Sequence, residues 1–433
     1  MKTASSGTVD VTPSARRLTG SLRDIGYDFV AAIADLVDNS LSANAERIDI
    51  EIVYDGADSY VVIADNGTGM TEGDLAEALR FGSQREYAIG DLGRYGLGLK
   101  TASLSQCRRL TVVTRRSLAY RRLAMKTLDL DHIERADRWE IIDPPGGSHF
   151  HRCLEWIGDG PGTVVFWELL DRVLPERRPE GGWARRRLEQ LALRTREYLG
   201  MVFHRFLQHE TRAGLPLVIT VNGEKVEPWD PFAPLEEHRL ELPPQSFEIA
   251  VGDVCGTVML RRYVLPPKNL FSSGGEFDRL SGPLKWNRQQ GIYIYRADRL
   301  IQHGGWCGIR AADEHTKIAR ASVDFQTDLD PLFQINVAKM RVTLPAQVRT
   351  LFERPIHELC HRADAAYRND AQERGRSEGP TQQPGPARGT ADYSAIGPAL
   401  LAAALDAGEH AALERIMEKL RALDPAMVAD LGW

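Results

Sequence analysis

The sequence predicts an α/β protein: an α/β sandwich over residues 20–172, a second α/β domain over 213–350, and a small helical region at the C-terminus. Three observations carry the prediction. Helical and strand periodicities alternate between residues 27 and 169. Strand patterns return after a helical stretch at 184–207. A segment rich in Pro, Gly, Gln and Ser then sets off Ala/Leu-rich helices at the end.

In chain order, residues 1–19 read as a polar, flexible lead-in. Tyr27–Ala43 reads as a helix, because Phe29, Val30, Ile33, Leu36 and Val37 recur at helical spacing and mark a buried face. Arg47–Tyr54 alternates Ile48, Ile50, Ile52 and Tyr54 with polar neighbours and reads as a strand. Tyr60–Ala64 is a second, more fully buried strand, ending at Asp65-Asn66-Gly67. Leu75–Arg80 is a short helix. A Gly-rich stretch from Gly82 to Gly98 precedes the helix Leu99–Gln106, and Leu110–Thr114 and Thr163–Leu169 are further strands. Residues 173–212 connect the domains through a helix with Leu188, Leu191, Leu199, Val202, Phe203 and Phe206 on one side. In the second domain the expected strands are Leu217–Val221, with a turn at Asn222-Gly223, then Val258–Arg262, Gly291–Tyr295 and Arg341–Leu344. A helix over 351–371 and a disordered linker over 372–391 follow. In 392–433, Leu413, Ile416, Met417 and Leu420 form an apolar stripe, which suits a helical hairpin packed on the body or a surface for a partner protein.

At 433 residues, 43% hydrophobic and 26% charged, the chain has ordinary globular composition with room for two or three domains. A net charge of −6 gives no global electrostatic case for nucleic acid or membrane. The five cysteines, Cys107, Cys153, Cys255, Cys307 and Cys360, include no CxxC pair, which argues against a disulfide framework or a zinc site and for a reducing compartment. The N-terminus has no apolar core of a signal peptide, and no run approaches the roughly 20 apolar residues that span a bilayer. The expected setting is the cytoplasm, without a membrane.

Three short segments carry the chemistry. On the helix 27–43, Asp35, Asp38, Asn39 and Ser42 share a stripe opposite the apolar face. A carboxylate and an amide one turn apart suit water activation and Mg²⁺ ligation, although a solvated helix face would look the same. Asp65-Asn66-Gly67-Thr68-Gly69-Met70 closes a buried strand, where two glycines allow a sharp turn and a carboxylate can accept the amine of adenine. A plain turn or a calcium-loop fragment are the alternatives, and the calcium reading lacks its further acidic residues. Gly93-Arg94-Tyr95-Gly96-Leu97-Gly98-Leu99-Lys100-Thr101 places glycines before a helix, exposing N–H groups to phosphate. It is not a P-loop, since Leu99 separates Gly98 from Lys100 and no apolar strand precedes Gly93.

Together these segments resemble the GHKL (Bergerat-fold) ATPase superfamily, which includes gyrase B, sensor histidine kinases, MutL and MORC proteins. ADLVDNSLSA is similar to the family's E-L-x-D-N-S-x-x-A helix, DNGTGM to its D-x-G-x-G box, and GRYGLGLKTA to the second glycine box of MORC-like members. Arg80-Phe81-Gly82-Ser83 resembles the element before the nucleotide lid, and Gly162-Thr163-Val164 the strand that closes the adenine pocket. The resemblance covers about 20–172. It implies that Asn39 ligates Mg²⁺, that Asp65 bonds adenine with Thr163 helping through water, and that Gly67, Gly69 and Met70 shape the pocket. It implies that Phe81, Gly82 and Ser83 lead into a lid over 82–98, and that Gly93, Tyr95, Gly96, Leu97, Gly98, Lys100 and Thr101 form the phosphate-holding box. Asp35 stands where ATP-hydrolysing members carry Glu, so slow hydrolysis is expected.

The second domain adds two resemblances. Gln334–Val342 is similar to the loop of MutL whose lysine reaches the γ-phosphate from the transducer domain, which makes Lys339 a candidate; a surface lysine is the alternative. Tyr293–Ile301 resembles the strand–turn–strand of MutL and MORC transducers, a small polar pair followed by Arg. The implied activity is ATP hydrolysis gating a homodimeric clamp. Arg261, Arg262, Lys268, Lys285, Arg288, Arg296 and Arg299, with Trp286 among them, could line a groove for DNA, as in a bacterial defence or restriction setting. Interleaved acidic residues equally suit solvated strand faces. A chaperone-like ATPase and an ATP-binding switch with little hydrolysis are the other readings.

Overall fold

The computed structural model describes residues 13–24, 27–81, 98–117, 122–144, 146, 151, 154–175, 181–210, 216–252, 254–333, 342–377, 401, 404 and 410–423. By packing, the chain divides into a unit from Met1 to Glu373 and another from Arg374 to Trp433. Two mixed sheets lie in the larger unit.

The first sheet contains β1 (Arg47–Val53), β2 (Tyr60–Asp65), β3 (Arg109–Arg115), β4 (Ala124–Asp129), β5 (Gly162–Glu168), β6 (Val218–Val221) and β7 (Glu224–Lys225), in the order β4-β3-β5-β2-β1-β6-β7. Alternation in β1 is real: Ile48, Ile50 and Ile52 are buried while Arg47 is exposed. β2 is buried on both faces, as befits a strand flanked by β5 and β1. Helices α1 (Ala15–Arg23), α2 (Phe29–Ser42), α3 (Glu72–Leu79), α4 (Gly98–Leu104), α5 (Leu130–Ala136) and α6 (Gly182–Val202) accompany this sheet. One large core joins residues of α2, α4 and α6 to Ile48, Ile50, Val61, Ile63 and Trp167 of the strands. Residues of the opposite face, including Tyr60, Val62, Val113 and Phe166, form a smaller cluster with Ile157.

Three expectations change here. Residues 15–23 are helical, not a flexible lead-in. Ser14 caps this helix, and Arg23 anchors it through Leu104 O (2.7 Å) and Asp171 Oδ1 (2.5 Å). Few apolar residues mark α1, so its periodicity is faint and its anchors are long-range. The strand expected at Leu217–Val221 in the second domain instead forms as β6, which pairs parallel with β1 and extends the first sheet. The hydrogen-bonding edge of β1 is thereby satisfied, and Asn222 Oδ1 accepts from Ile52 N at 2.8 Å. β4 and α5 were not anticipated. The expected turn at Asn222-Gly223 is present, with φ of 50° and 75°.

The second sheet has β8 (Leu240–Val251), β9 (Val254–Val264), β10 (Gly291–Arg296), β11 (Arg299–Gln302) and β12 (Ala319–Phe325), in the order β11-β10-β12-β9-β8. Every residue of β10 is buried, because its two faces meet different cores. Ile292 and Ile294 join the second domain's own core, with Leu260, Val323 and the α7 (Ala346–Ser377) residues Phe352 and Leu359. Tyr293 and Tyr295 instead join Met201 of α6 and Phe232. His204, just after α6, shares a 2.9 Å hydrogen bond with the Tyr295 hydroxyl. The expected strand Arg341–Leu344 is not formed over its described residues: Val342 and Leu344 are buried in the second core outside any strand, and β12 takes the central place. α7 starts five residues before the expected 351–371 helix and runs to Ser377; the rest of the expected linker to 391 lies outside the described residues.

In the smaller unit, α8 (His410–Leu423) carries the apolar stripe, with Met417 buried and Ile416 exposed. Among the described residues no helix is long and apolar enough to cross a membrane, and Cys107, Cys255, Cys307 and Cys360 are free thiols.

Candidate nucleotide site

Asp65 ends β2, and the sheet register sets Thr163 of β5 directly opposite it. Ser40 Oγ donates to Asp65 Oδ2 at 2.8 Å, and Gly67 N donates to Oδ1 at 2.9 Å. Burial pushes the carboxyl above its ordinary range, and these hydrogen bonds pull the other way. A carboxylate oxygen has two lone pairs, so each keeps capacity for a further donor. Thr114, which the sequence reading left out, ties the pocket wall together. Its hydroxyl accepts from Met70 N (2.9 Å), lies 3.0 Å from Thr163 Oγ1, and donates to Gly162 O (2.9 Å). Ser40 was visible in its motif without an assigned partner. No local signal pairs Thr114 with Met70, because the contact spans two separate strand ends.

The glycines serve the protein's own packing. A β-carbon on Gly67 would lie 2.8 Å from Ala43 O, and one on Gly69, where φ is 61°, only 2.0 Å from Arg115 O. The turn is thus pressed against α2's end and β3's end, and closeness to protein backbone is enough to require glycine. Gly69→Ala is expected to cost at least the roughly 1–2 kcal/mol of a left-handed alanine, with the clash added. A urea midpoint equal to that of the parent protein would refute the close approach.

Asp35 and Asp38 are 2% and 0% exposed, so the polar stripe of α2 is only in part a solvated face; its Asn39 and Ser42 meet solvent. Tyr27 donates its hydroxyl proton to Asp35 Oδ2 at 2.8 Å, and the phenol's own pKa is raised by burial and by that carboxylate. A β-carbon on Gly98 would sit 3.5 Å from Asp35 Oδ2, which places the first turn of α4 against this carboxylate. Thr101 of α4 is buried nearby.

Lys100 is completely buried. Its Nζ donates to Ala78 O, near the end of α3, at 2.8 Å, and lies 5.9 Å from the centre of the Phe81 ring. Burial brings its pKa down to about 8. Phe81 itself packs on Trp139, with ring centres 4.7 Å apart. The structure therefore brings together Asp35, Asp65, Gly67, Gly69, Met70, Gly98, Thr101 and Thr163 around α2 and the ends of β2 and β5, and turns Lys100 and Phe81 toward α3. Gly82, Ser83, Gly93, Tyr95, Gly96, Leu97 and Lys339 lie outside the described residues.

Of the seven cations suggested for a basic groove, three, Arg262, Arg296 and Arg299, are buried in ion pairs. Arg262 is buried and donates to Glu358 Oε2 (2.6 Å), Pro355 O and Pro243 O. Arg296 holds Asp330 with two 2.7 Å bonds, and Arg299 holds Asp38. Arg261 bonds Asp324, Lys268 lies against the Phe277 ring, and Trp286 is buried. Lys268, Lys285 and Arg288 are exposed. Strand arginines in a sheet covered on both faces are affordable only when paired with carboxylates or carbonyls, which is where these have gone.

Comparison with known proteins agrees with this geometry. Residues 27–155 match the family of histidine kinase-, DNA gyrase B- and HSP90-like ATPases, so the first domain is a GHKL-type ATPase domain. Over 87 residues the chain is 32% identical to the ATPase morc-1 of Caenorhabditis elegans, covering 20% of this chain and 10% of that protein. Over 90 residues it is 39% identical to the DNA mismatch repair protein MutL of Shewanella oneidensis, and 38% to that of Shewanella baltica, covering 20% of this chain and 14% of each relative. The chain thus matches only a small part of the length of these relatives.

Proposed function

We propose that this GHKL-type ATPase domain binds ATP with Mg²⁺, hydrolyses it slowly, and uses the nucleotide to gate a MORC- or MutL-like homodimeric clamp. The observation that carries the reading is the Asp65–Thr163 pair, a half-buried carboxylate braced by Ser40 and Gly67 N, with Asp35 and Asn39 on the adjoining helix. In this reading Asp65 accepts the exocyclic amine of adenine and Thr163 assists through water. Asp35 takes the proton of the attacking water. Gly96 and Gly98 hold phosphates, Lys100 joins them on exchanging its bond to Ala78 O for a phosphate oxygen, residues 82–98 close as a lid, and Lys339 stabilises charge on the transferred group.

Among the described residues no group of three His, Cys, Asp or Glu could hold a metal ion. A single exposed amide, Asn39, fits a Mg²⁺ that takes its other ligands from phosphates and water. Bound there, the ion would neutralise phosphate charge.

Asp65→Ala tests the adenine contact. Hydrogen bonds to charged groups are worth about 1.5–3 kcal/mol, so ATP affinity should fall roughly 10- to 150-fold. Unchanged affinity would sink the assignment. For the clamp, the ATPase rate against protein concentration should rise with second order; a strictly proportional rate removes the dimer. The mismatch-repair relatives support DNA as the cargo. If DNA neither binds with salt sensitivity nor stimulates turnover, a protein client replaces it, and if turnover never exceeds background, an ATP-binding switch does.

A further inference from the structure

Arg299 crosses from the second domain into the ATPase domain. It follows the β10–β11 turn, where Ala297 and Asp298 both have positive φ, 46° and 67°. Its Nε donates to Asp38 Oδ1 at 2.9 Å, and the two side chains are 1% and 0% exposed. The guanidinium lies 5.7 Å from the centre of the Phe203 ring, at the end of α6. Asp38, Tyr198, Asp35 and Tyr27 are among the charged or titratable groups around it. Asp38 is three residues after Asp35 and one before Asn39, so the arginine grips the turn of α2 that presents both site residues. The same hairpin is held a second time: Asp298 bonds Arg205 at 3.3 Å, and Arg205 also bonds Asp324 of β12 and covers the Tyr295 ring at 3.6 Å.

We propose that Arg299 is a positioning residue whose buried ion pair with Asp38 couples the nucleotide state of α2 to the β10–β11 hairpin of the second domain. The inference rests on the ATP reading above, and it names a route separate from Lys339, which would meet the nucleotide directly. Separating two fully buried charges leaves each without compensation, so helix and hairpin hold position together rather than slide. Whatever ATP does to the placement of α2 is then passed to the hairpin, and by linkage the hairpin acts back on ATP binding with the same factor.

Hydrogen exchange on the full chain, with and without MgATP, tests this in the parent protein, in Arg299→Lys and in Asp38→Asn. Lysine keeps the charge but not the planar fork, and asparagine keeps the shape without the charge. Each variant is compared with its own nucleotide-free exchange, so a change in overall stability cancels. In the parent protein ATP should slow exchange both in 35–42 and in 291–302, within the ~5- to 150-fold range of ordinary couplings. In both variants the slowing should persist at 35–42 and 65–70 and vanish at 291–302. Slowing of the hairpin that survives both substitutions overturns the inference. So does a parent protein in which α2 responds and the hairpin does not, and in either case the ATP reading stands. ATP that slows exchange nowhere, 65–70 included, removes the ATP reading itself.

Discussion

Asp35→Asn is expected to reduce ATP turnover by about 10²- to 10⁴-fold, the usual contribution of a general base, while ATP affinity changes by less than about tenfold, or 1.4 kcal/mol. Asparagine has the shape of aspartate and can still accept the Tyr27 hydroxyl hydrogen bond that the carboxylate now receives at 2.8 Å, but it cannot take a proton from water. Asp35 is closed in by Tyr27 and by the first turn of α4. Single-turnover kinetics beside equilibrium binding separates the two effects. Equal loss of binding and turnover would make Asp35 a structural group, and unchanged turnover would move the base elsewhere.

The sequence exposed the parts of this site that are local. Alternation fixed β1, the buried run fixed β2, and Asp65-Asn66-Gly67-Thr68-Gly69-Met70 marked the strand end where the carboxylate sits. It did not expose what those parts touch. Periodicity reports that a face is buried, and not against which partner, so Leu217–Val221 reads as a strand, forms one over Val218–Val221, and joins the first sheet instead of the second domain. Glycine at 67 and 69 reads as a sharp turn, but the neighbours that make glycine necessary there, Ala43 and Arg115, are not visible in sequence. Charge misled most. Arg262, Arg296 and Arg299 look in sequence like a basic surface, but each is buried and bound to a carboxylate far along the chain. Burial of a cation depends on a long-range partner, and no local pattern carries that information.

Arg299→Ala is expected to destabilise the larger unit by about 3–5 kcal/mol, because Asp38 would remain buried with its charge uncompensated. A denaturant midpoint measures the loss. The more telling variant is the double replacement Arg299→Met with Asp38→Leu. Removing both charges removes both desolvation costs, and buried ion pairs exchanged for apolar residues of similar volume are often neutral or more stable. The double variant should therefore recover most of the stability that either single substitution loses. If it also recovers full ATP turnover, the pair contributes nothing beyond packing. If stability returns while turnover does not, the ion pair is kept for where it holds α2, since apolar contacts, being non-directional, fill the volume without fixing the angle at which Asp35 and Asn39 face the nucleotide.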